Sequence, residues 1–133
     1  MNKVLILIIL ITSILSCSKN EMNKPPLLRI DKFLNHINSE TRYSYIKSQR
    51  IEMAPGIMAP IHSHPVPTFG VVNNGEIVFK VEGQKEILLK KGDTFFEPKG
   101  ISILIFGNKG TDEAAFTVFY LLESENSKTT NIP

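Results

Sequence analysis

The feature that most restricts the fold of this chain is the close spacing of its turn signals. Glycine-centred turns recur at Asn73-Asn74-Gly75, Gly83, Lys91-Gly92-Asp93, Pro98-Lys99-Gly100 and Asn108-Lys109-Gly110. The segments between them are long enough for one strand each and too short for helices of ordinary length. Turns that follow one another about every 8–12 residues are typical of β-sandwiches and β-barrels. The spacing therefore predicts an all-β fold.

The segments between these turns carry the pattern of half-buried strands. Ile77, Phe79 and Val81 face one way while Glu76, Lys80 and Glu82 face the other, because alternating side chains lie on opposite faces of a strand. The Asn74-Gly75 pair predicts a tight hairpin between the two strands that flank it. The residues predicted to point into the core are Ile77, Phe79, Val81, Leu89, Phe95, Ile103 and Val118.

The composition excludes several classes of function. The chain has 133 residues, enough for one domain, and its 15 Lys and Arg residues nearly balance its 13 Asp and Glu residues. A nucleic-acid surface requires a clustered excess of positive charge, so no nucleic-acid partner is predicted. No glycine-rich phosphate loop follows a predicted strand and opens a helix, so a nucleotide cofactor is not predicted either.

The N-terminus has the features of an export signal. Residues 4–11 are an unbroken apolar run, too short to span a bilayer but of the length of a signal-peptide core. The segment Ile14-Leu15-Ser16-Cys17 resembles a bacterial lipobox, which implies cleavage before Cys17 and lipid on its sulfur. The alternatives are an ordinary signal peptide or an uncleaved anchor. Cys17 is the only cysteine, so no disulfide forms within a monomer.

These features divide the chain into four parts. Residues 1–16 are the predicted lipoprotein signal peptide, residues 17–26 a lipid tether, residues 27–122 the β-domain and residues 123–133 a polar, loose tail. Within the domain, residues 27–38 favour a strand start followed by a short irregular or helical piece. The lipid implies a membrane-anchored protein of the bacterial cell envelope, at the outer membrane facing the periplasm in a Gram-negative cell.

The stretch with most chemical content is His62-Ser63-His64. Two histidines two residues apart on a strand point to the same side. Their imidazoles can then converge on one divalent metal ion. The neighbouring prolines keep the local backbone extended, which favours this strand geometry.

The surroundings of this pair follow a known frame. One motif begins at Gly56, followed after five residues by His62-Ser63-His64, after three more by Thr68 and after six more by Gly75. A second begins at Gly92, followed after five residues by Pro98-Lys99-Gly100 and after two more by Ile103. In these motifs the chain resembles the cupin superfamily. The resemblance covers about residues 51–122 and implies a double-stranded, jelly-roll-like β-barrel of the small single-domain kind.

Two of the family's ligand positions are altered here. The family usually binds a divalent metal through three histidines and one glutamate. Thr68 stands at the glutamate position, or Phe69 in a register one residue longer, and Ile103 at the third-histidine position, or Leu104 in the shifted register. The resemblance therefore implies a degenerate metal site that retains two of its four ligands.

Glu97 is the candidate carboxylate that completes the site. It ends a predicted strand, and by alternation it shares a face with Phe95. Two histidines and one carboxylate are a known ligand set for iron and zinc, so a triad of His62, His64 and Glu97 is one candidate site. In the alternative, Glu97 lies at the barrel rim and faces water. The residues predicted to line the pocket are Thr68, Phe79, Phe95 and Ile103.

Three functions are open from the sequence. The first is an envelope-anchored barrel that binds a small-molecule ligand at a degenerate metal site. The second is a metal-dependent enzyme of oxygenase, isomerase or decarboxylase type that uses His62, His64 and Glu97. The third is a structural or interaction module at the membrane surface. The resemblance also makes a homodimer through barrel edges a candidate assembly.

Overall fold

The structure is a computed structural model that describes residues 31–133 apart from Phe33, Asn38 and Ser39. The predicted signal peptide, the lipid-bearing Cys17 and the tether lie outside the described residues. Within the described part, no helix is long and apolar enough to cross a membrane.

Eight strands form the regular structure of the described residues, in agreement with the all-β prediction. The residues from 31 to 44 that are described contain no strand or helix, so the piece predicted at residues 27–38 is not regular where it can be seen. The strands are β1 (Tyr45–Met53), β2 (His62–Ser63), β3 (Thr68–Asn74), β4 (Glu76–Val81), β5 (Ile87–Lys90), β6 (Thr94–Glu97), β7 (Ser102–Gly107) and β8 (Ala114–Leu122).

The strands form two four-stranded sheets. One sheet has the order β1-β8-β3-β6 and the other the order β2-β7-β4-β5. All of these strand pairs are antiparallel. Two antiparallel sheets in this arrangement are the predicted jelly-roll-like barrel.

The core is apolar and aromatic. Phe79, Phe95 and Phe106 contact one another with ring centroids 5.3–5.8 Å apart, in tilted or edge-to-face pairs. Such pairs contribute about 0.5–1.5 kcal/mol each beyond the burial of their area. All seven residues predicted to point inward are at most 4% exposed. The alternation of apolar residues therefore predicted the core correctly.

The predicted hairpin at Asn74-Gly75 is wrong. β3 and β4 lie in different sheets, so the chain crosses between sheets at Gly75 instead of turning back. Gly75 has a φ of +69°, and a Cβ there would lie 2.8 Å from the Cα of Ala114. Glycine is needed because the crossing requires both a left-handed backbone and a close approach to β8.

The C-terminal tail is not loose along its whole length, contrary to the prediction. Asn131 donates its backbone N–H to the carbonyl of Ser63 at 2.8 Å, and the N–H of Ser63 donates to the carbonyl of Asn131 at 2.9 Å. The two residues form an isolated β-bridge. The end of the chain is therefore held against β2, the strand that carries His62.

Candidate metal centre

His62, His64 and Glu97 come together as one cluster. Their ligand atoms lie within 4.8 Å of one another. The side chains of His62, His64 and Glu97 are only 11%, 4% and 4% exposed. The alternative that placed Glu97 at a water-facing rim is wrong, since a group this buried has little contact with water.

The chain positions these side chains through local backbone contacts. His62 lies on β2, and His64 follows that strand directly before Pro65. The N–H of Gly100 donates to the carbonyl of His64 at 2.8 Å. This bond joins the histidine stretch to the turn that follows Glu97, so the carboxylate is held beside the imidazoles.

Both imidazoles have their tautomer set by a backbone carbonyl. Nδ1 of His62 donates to the carbonyl of Pro60 at 2.8 Å. Nδ1 of His64 donates to the carbonyl of Thr129 at 2.7 Å. A carbonyl can only accept, so each neutral ring has its proton on Nδ1 and a free lone pair on Nε2. Such a bond on the far ring nitrogen is typical of metal-ligating histidines.

The two Nε2 atoms face the oxygens of Glu97. His64 Nε2 lies 3.0 Å from Oε2, and His62 Nε2 lies 4.0 Å from Oε1. In the tautomer with the proton on Nδ1, Nε2 and the carboxylate oxygen are both acceptors, so the buried Nε2 of His64 has no hydrogen-bond partner among the described residues. A lone pair and a carboxylate oxygen repel each other unless a proton or a metal cation lies between them. The residues present therefore fit a metal ion.

Burial and Glu97 act on the pKa of His64 in opposite directions. Burial by itself lowers the pKa, because it disfavours the imidazolium. The contact with Glu97, its negative charge and the carbonyl of Thr129 together outweigh burial, and the pKa is raised above its ordinary value. Without a metal ion, His64 and Glu97 would therefore hold a proton between them.

A cavity of about 200 Å³ opens beside the three residues. Tyr120 lies in its wall with its ring centroid 5.7 Å from that of His64. Burial and the charge of Glu97 raise the pKa of Tyr120, and its hydrogen bond with the Thr130 side chain only partly opposes them. The lining residues are Ile51, Met53, Ala59, Pro60, His62, His64, Glu97, Phe106, Phe116, Val118, Tyr120, Thr130 and Ile132.

The family model of the cupin domain matches residues 49–120, which is more than half of the chain. The protein belongs to the cupin family. The match runs from the middle of β1 to most of β8 and includes the three clustered residues.

Curated relatives give the same family. The chain is 31% identical over 87 residues to oxalate oxidase GF-3.8 of Triticum aestivum, across 59% of this chain and 38% of that protein. It is 33% identical over 100 residues to the rhicadhesin receptor of Pisum sativum, across 66% of this chain and 42% of that protein. The chain thus spans about two fifths of the length of these relatives.

Solved structures give the same fold. An oxalate oxidase in complex with glycolate superposes with a TM-score of 0.57 at 24% identity, over 65% of this chain and 45% of that one. A predicted oxalate decarboxylase of Thermotoga maritima superposes with a TM-score of 0.52 at 28% identity, over 56% of this chain and 64% of that one. The first likeness, at this identity, is evidence of fold alone.

The four residues predicted to line the pocket lie in the core of this cupin and not in the lining of the cavity described above. Phe106 lines the cavity and packs against Phe79 and Phe95, which places these two one layer deeper. Thr68 is fully buried, and its hydroxyl donates to the carbonyl of Val66 at 3.2 Å. Ile103 is 1% exposed and pairs with His62 across β2 and β7.

Little in the polar C-terminal segment indicates that it takes part in this cupin site. Thr129 orients His64, and Thr130 and Ile132 line the cavity. The segment is polar and short, a composition typical of a free terminus. Its only local signal is the apolar Ile132 near the end of a polar stretch.

Proposed function

We propose that this protein is a metal-dependent cupin that binds a divalent cation through His62, His64 and Glu97 and acts on a small molecule in the adjacent cavity. The observation that carries the proposal is the buried Nε2 of His64, which faces a carboxylate oxygen at 3.0 Å and has no hydrogen-bond partner among the described residues. A divalent cation resolves this contact by accepting electron pairs from both atoms.

The donor set favours a reactive centre over a structural one. Structural zinc sites are usually closed by four protein ligands, whereas catalytic sites keep a position for water or substrate. Three ligands are present here, and all three line the cavity, so the remaining positions are reached from it. The cation, when bound, would polarise an oxygen of the small molecule.

The protein's own residues have separable roles in this proposal. The carbonyls of Pro60 and Thr129 orient the imidazoles through their Nδ1 atoms. The pKa of Tyr120 lies above its ordinary value of 10, so its hydroxyl is protonated at neutral pH and can donate a hydrogen bond to a ligand oxygen. The apolar wall limits the access of water to the reacting group.

A metal-free barrel that binds a small molecule is the second candidate. Thr68 and Ile103 favour it, because neither can replace the family's ligand at its position. Glu97 is only 3% exposed, however, so without a cation its buried carboxylate would have only a proton shared with His64 to balance its charge. Burying a charge with so little compensation is costly, so we favour the metal-dependent function. Similarity to a protein named oxalate oxidase and to a structure described as a predicted oxalate decarboxylase also supports an enzyme.

Titration calorimetry with Zn²⁺ and Mn²⁺ on the untagged, chelator-treated protein tests the metal centre. We expect one ion per chain in the wild type, none in His62→Ala or His64→Ala, and clearly weaker binding in Glu97→Gln. His36→Ala is the matched control, since His36 is an exposed histidine, and it should bind like the wild type. Unchanged binding in His64→Ala would overturn the proposal.

We further propose, on the resemblance of residues 14–17 to a lipobox, that Cys17 carries lipid and anchors the protein to the bacterial envelope. Fractionation of cells that express Cys17→Ser should show soluble protein or an unprocessed precursor, while Ser18→Ala stays in the membrane fraction. A fully processed Cys17→Ser protein that remains in the membrane would contradict lipid attachment.

A further inference from the structure

The wall of the cavity beside the metal centre is almost wholly apolar. The polar residues that line it are the three proposed metal ligands, Tyr120 and Thr130. None of the described lining residues is lysine or arginine. The apolar lining residues are Ile51, Met53, Ala59, Pro60, Phe106, Phe116, Val118 and Ile132.

The net charge of this site would be small once a cation is bound. A divalent cation contributes +2 and the carboxylate of Glu97 contributes −1, while the ligating histidines are neutral, which leaves +1. A monoanionic ligand brings the sum to zero. A dianion would leave a net charge of −1 in an apolar wall without a cationic side chain, and burying such a charge is costly.

The polar residues that line the cavity are neighbours. The ring centroid of Tyr120 lies 5.7 Å from that of His64, and Tyr120 is hydrogen-bonded to the side chain of Thr130. The remaining lining residues are aliphatic or aromatic. A ligand that fits this distribution has one polar head and an apolar body.

From this distribution of charge and surface we infer that the cavity takes a small monoanion with an apolar body, of the class of short-chain monocarboxylates, and selects against dicarboxylates. The inference rests on the proposed metal centre and names the ligand class of that same site. It separates this protein from those relatives that are named for oxalate, which is a dianion at neutral pH.

Butyrate and succinate are a matched pair of probes for this selectivity. Both have four carbons, and succinate has a second carboxylate where butyrate has its terminal methyl group. On the Zn²⁺-loaded full chain, calorimetry at fixed ionic strength should give at least tenfold tighter binding of butyrate than of succinate. Butyrate should also bind about fifteenfold more tightly than acetate, because it has two more methylenes and each one buried contributes about fourfold.

A variant at the edge of the cavity tests the charge argument without disturbing the core. Ile132 lines the cavity and is 64% exposed, so a long polar side chain is tolerated there. Ile132→Lys adds the missing cation and should improve succinate binding about tenfold relative to butyrate. Ile132→Gln, a neutral side chain of similar length, should leave the succinate-to-butyrate ratio within about twofold of the wild type.

The outcomes separate this inference from the metal centre on which it rests. Metal binding is measured first, without any organic acid. If Zn²⁺ binds and succinate matches or exceeds butyrate in the wild type, the ligand class is wrong and the metal centre stands. Equal affinities for acetate and butyrate would also overturn the ligand class. If no metal binds, the proposed function fails and the inference fails with it.

Discussion

At the scale of single residues, we propose that Glu97 takes over the role of the carboxylate that the family motif has at the position of Thr68. Glu97 of β6 lies directly opposite Thr68 of β3, the residue at the family's glutamate position. Directly opposed residues of an antiparallel pair point to the same face of the sheet. A carboxylate moved by one strand can therefore reach the same pair of histidines.

Exchanging the two residues tests this displacement. Glu97→Thr should lose most of its metal affinity, and the double variant Thr68→Glu, Glu97→Thr should recover at least tenfold of it, because the carboxylate returns to the same face. Calorimetry with Zn²⁺ measures both. Thr94→Glu with Glu97→Thr is the matched control, since Thr94 opposes Val71 at the other end of the β3–β6 pair and should give no recovery. Equal affinities of the two double variants would refute the displacement.

The raised pKa of His64 predicts a stability that depends on pH. Because the folded pKa lies above the ordinary value of 6.5, the protonated pair stabilises the metal-free fold fully below pH 6.5 and less as the pH rises through the folded pKa. Metal binding needs the neutral imidazole and has the opposite dependence. In chelator, the Tm should therefore fall between pH 6 and 8, while the increase in Tm caused by Zn²⁺ should grow.

Thermal melts of wild type and His64→Gln over this range check that prediction. The variant lacks the titrating group, so its Tm in chelator should change less with pH than that of the wild type. Parallel pH profiles for the two proteins would show that His64 does not carry the effect.

At the scale of elements, the C-terminal segment belongs to the site. It pairs with β2 through Asn131, and the carbonyl of Thr129 accepts a hydrogen bond from Nδ1 of His64. It also places Ile132 in the cavity wall. Losing the partner that orients a metal-ligating histidine typically lowers metal affinity about 10–100-fold.

Deleting residues 129–133 should lower Zn²⁺ affinity about 10–100-fold by this mechanism. Deleting only residues 132–133 is the control, because it keeps the carbonyl of Thr129 and the pairing of Asn131 with Ser63. That shorter deletion should bind Zn²⁺ like the wild type. Calorimetry that finds the two deletions equal would assign the tail no part in positioning His64.

At the scale of the whole molecule, stability comes from the aromatic and aliphatic core. Phe79 is 4% exposed and contacts the rings of Phe95 and Phe106. Phe79→Ala should reduce the free energy of unfolding by about 3–5 kcal/mol, because it leaves a cavity that its neighbours fill only in part. Urea denaturation followed by far-UV circular dichroism measures the change.

Leu34→Ala is a suitable control for this core substitution. Leu34 is 99% exposed, so removing its side chain creates no cavity and should change the free energy of unfolding by less than about 0.5 kcal/mol. A loss below about 1 kcal/mol in Phe79→Ala would be incompatible with the burial of this ring.

The features that could be read from the sequence are those set by neighbours in the chain. Alternation put Ile77, Phe79 and Val81 in the core because the backbone of a strand directs successive side chains to opposite faces. The same rule put His62 and His64 on one side. The expectation that Glu97 shares a face with Phe95 also rests on alternation, and both side chains are buried.

The features that needed the tertiary structure join residues far apart in the chain. The contact of His64 with Thr129 spans 65 residues. Asn74-Gly75 has the local sequence of a hairpin, yet it crosses between sheets because β3 pairs with β6 and β8. The burial of Glu97 against the histidines likewise depends on how β2 and β6 are brought together. Local sequence determines which way a side chain points from its strand, whereas the packing of the two sheets determines which side chains it meets.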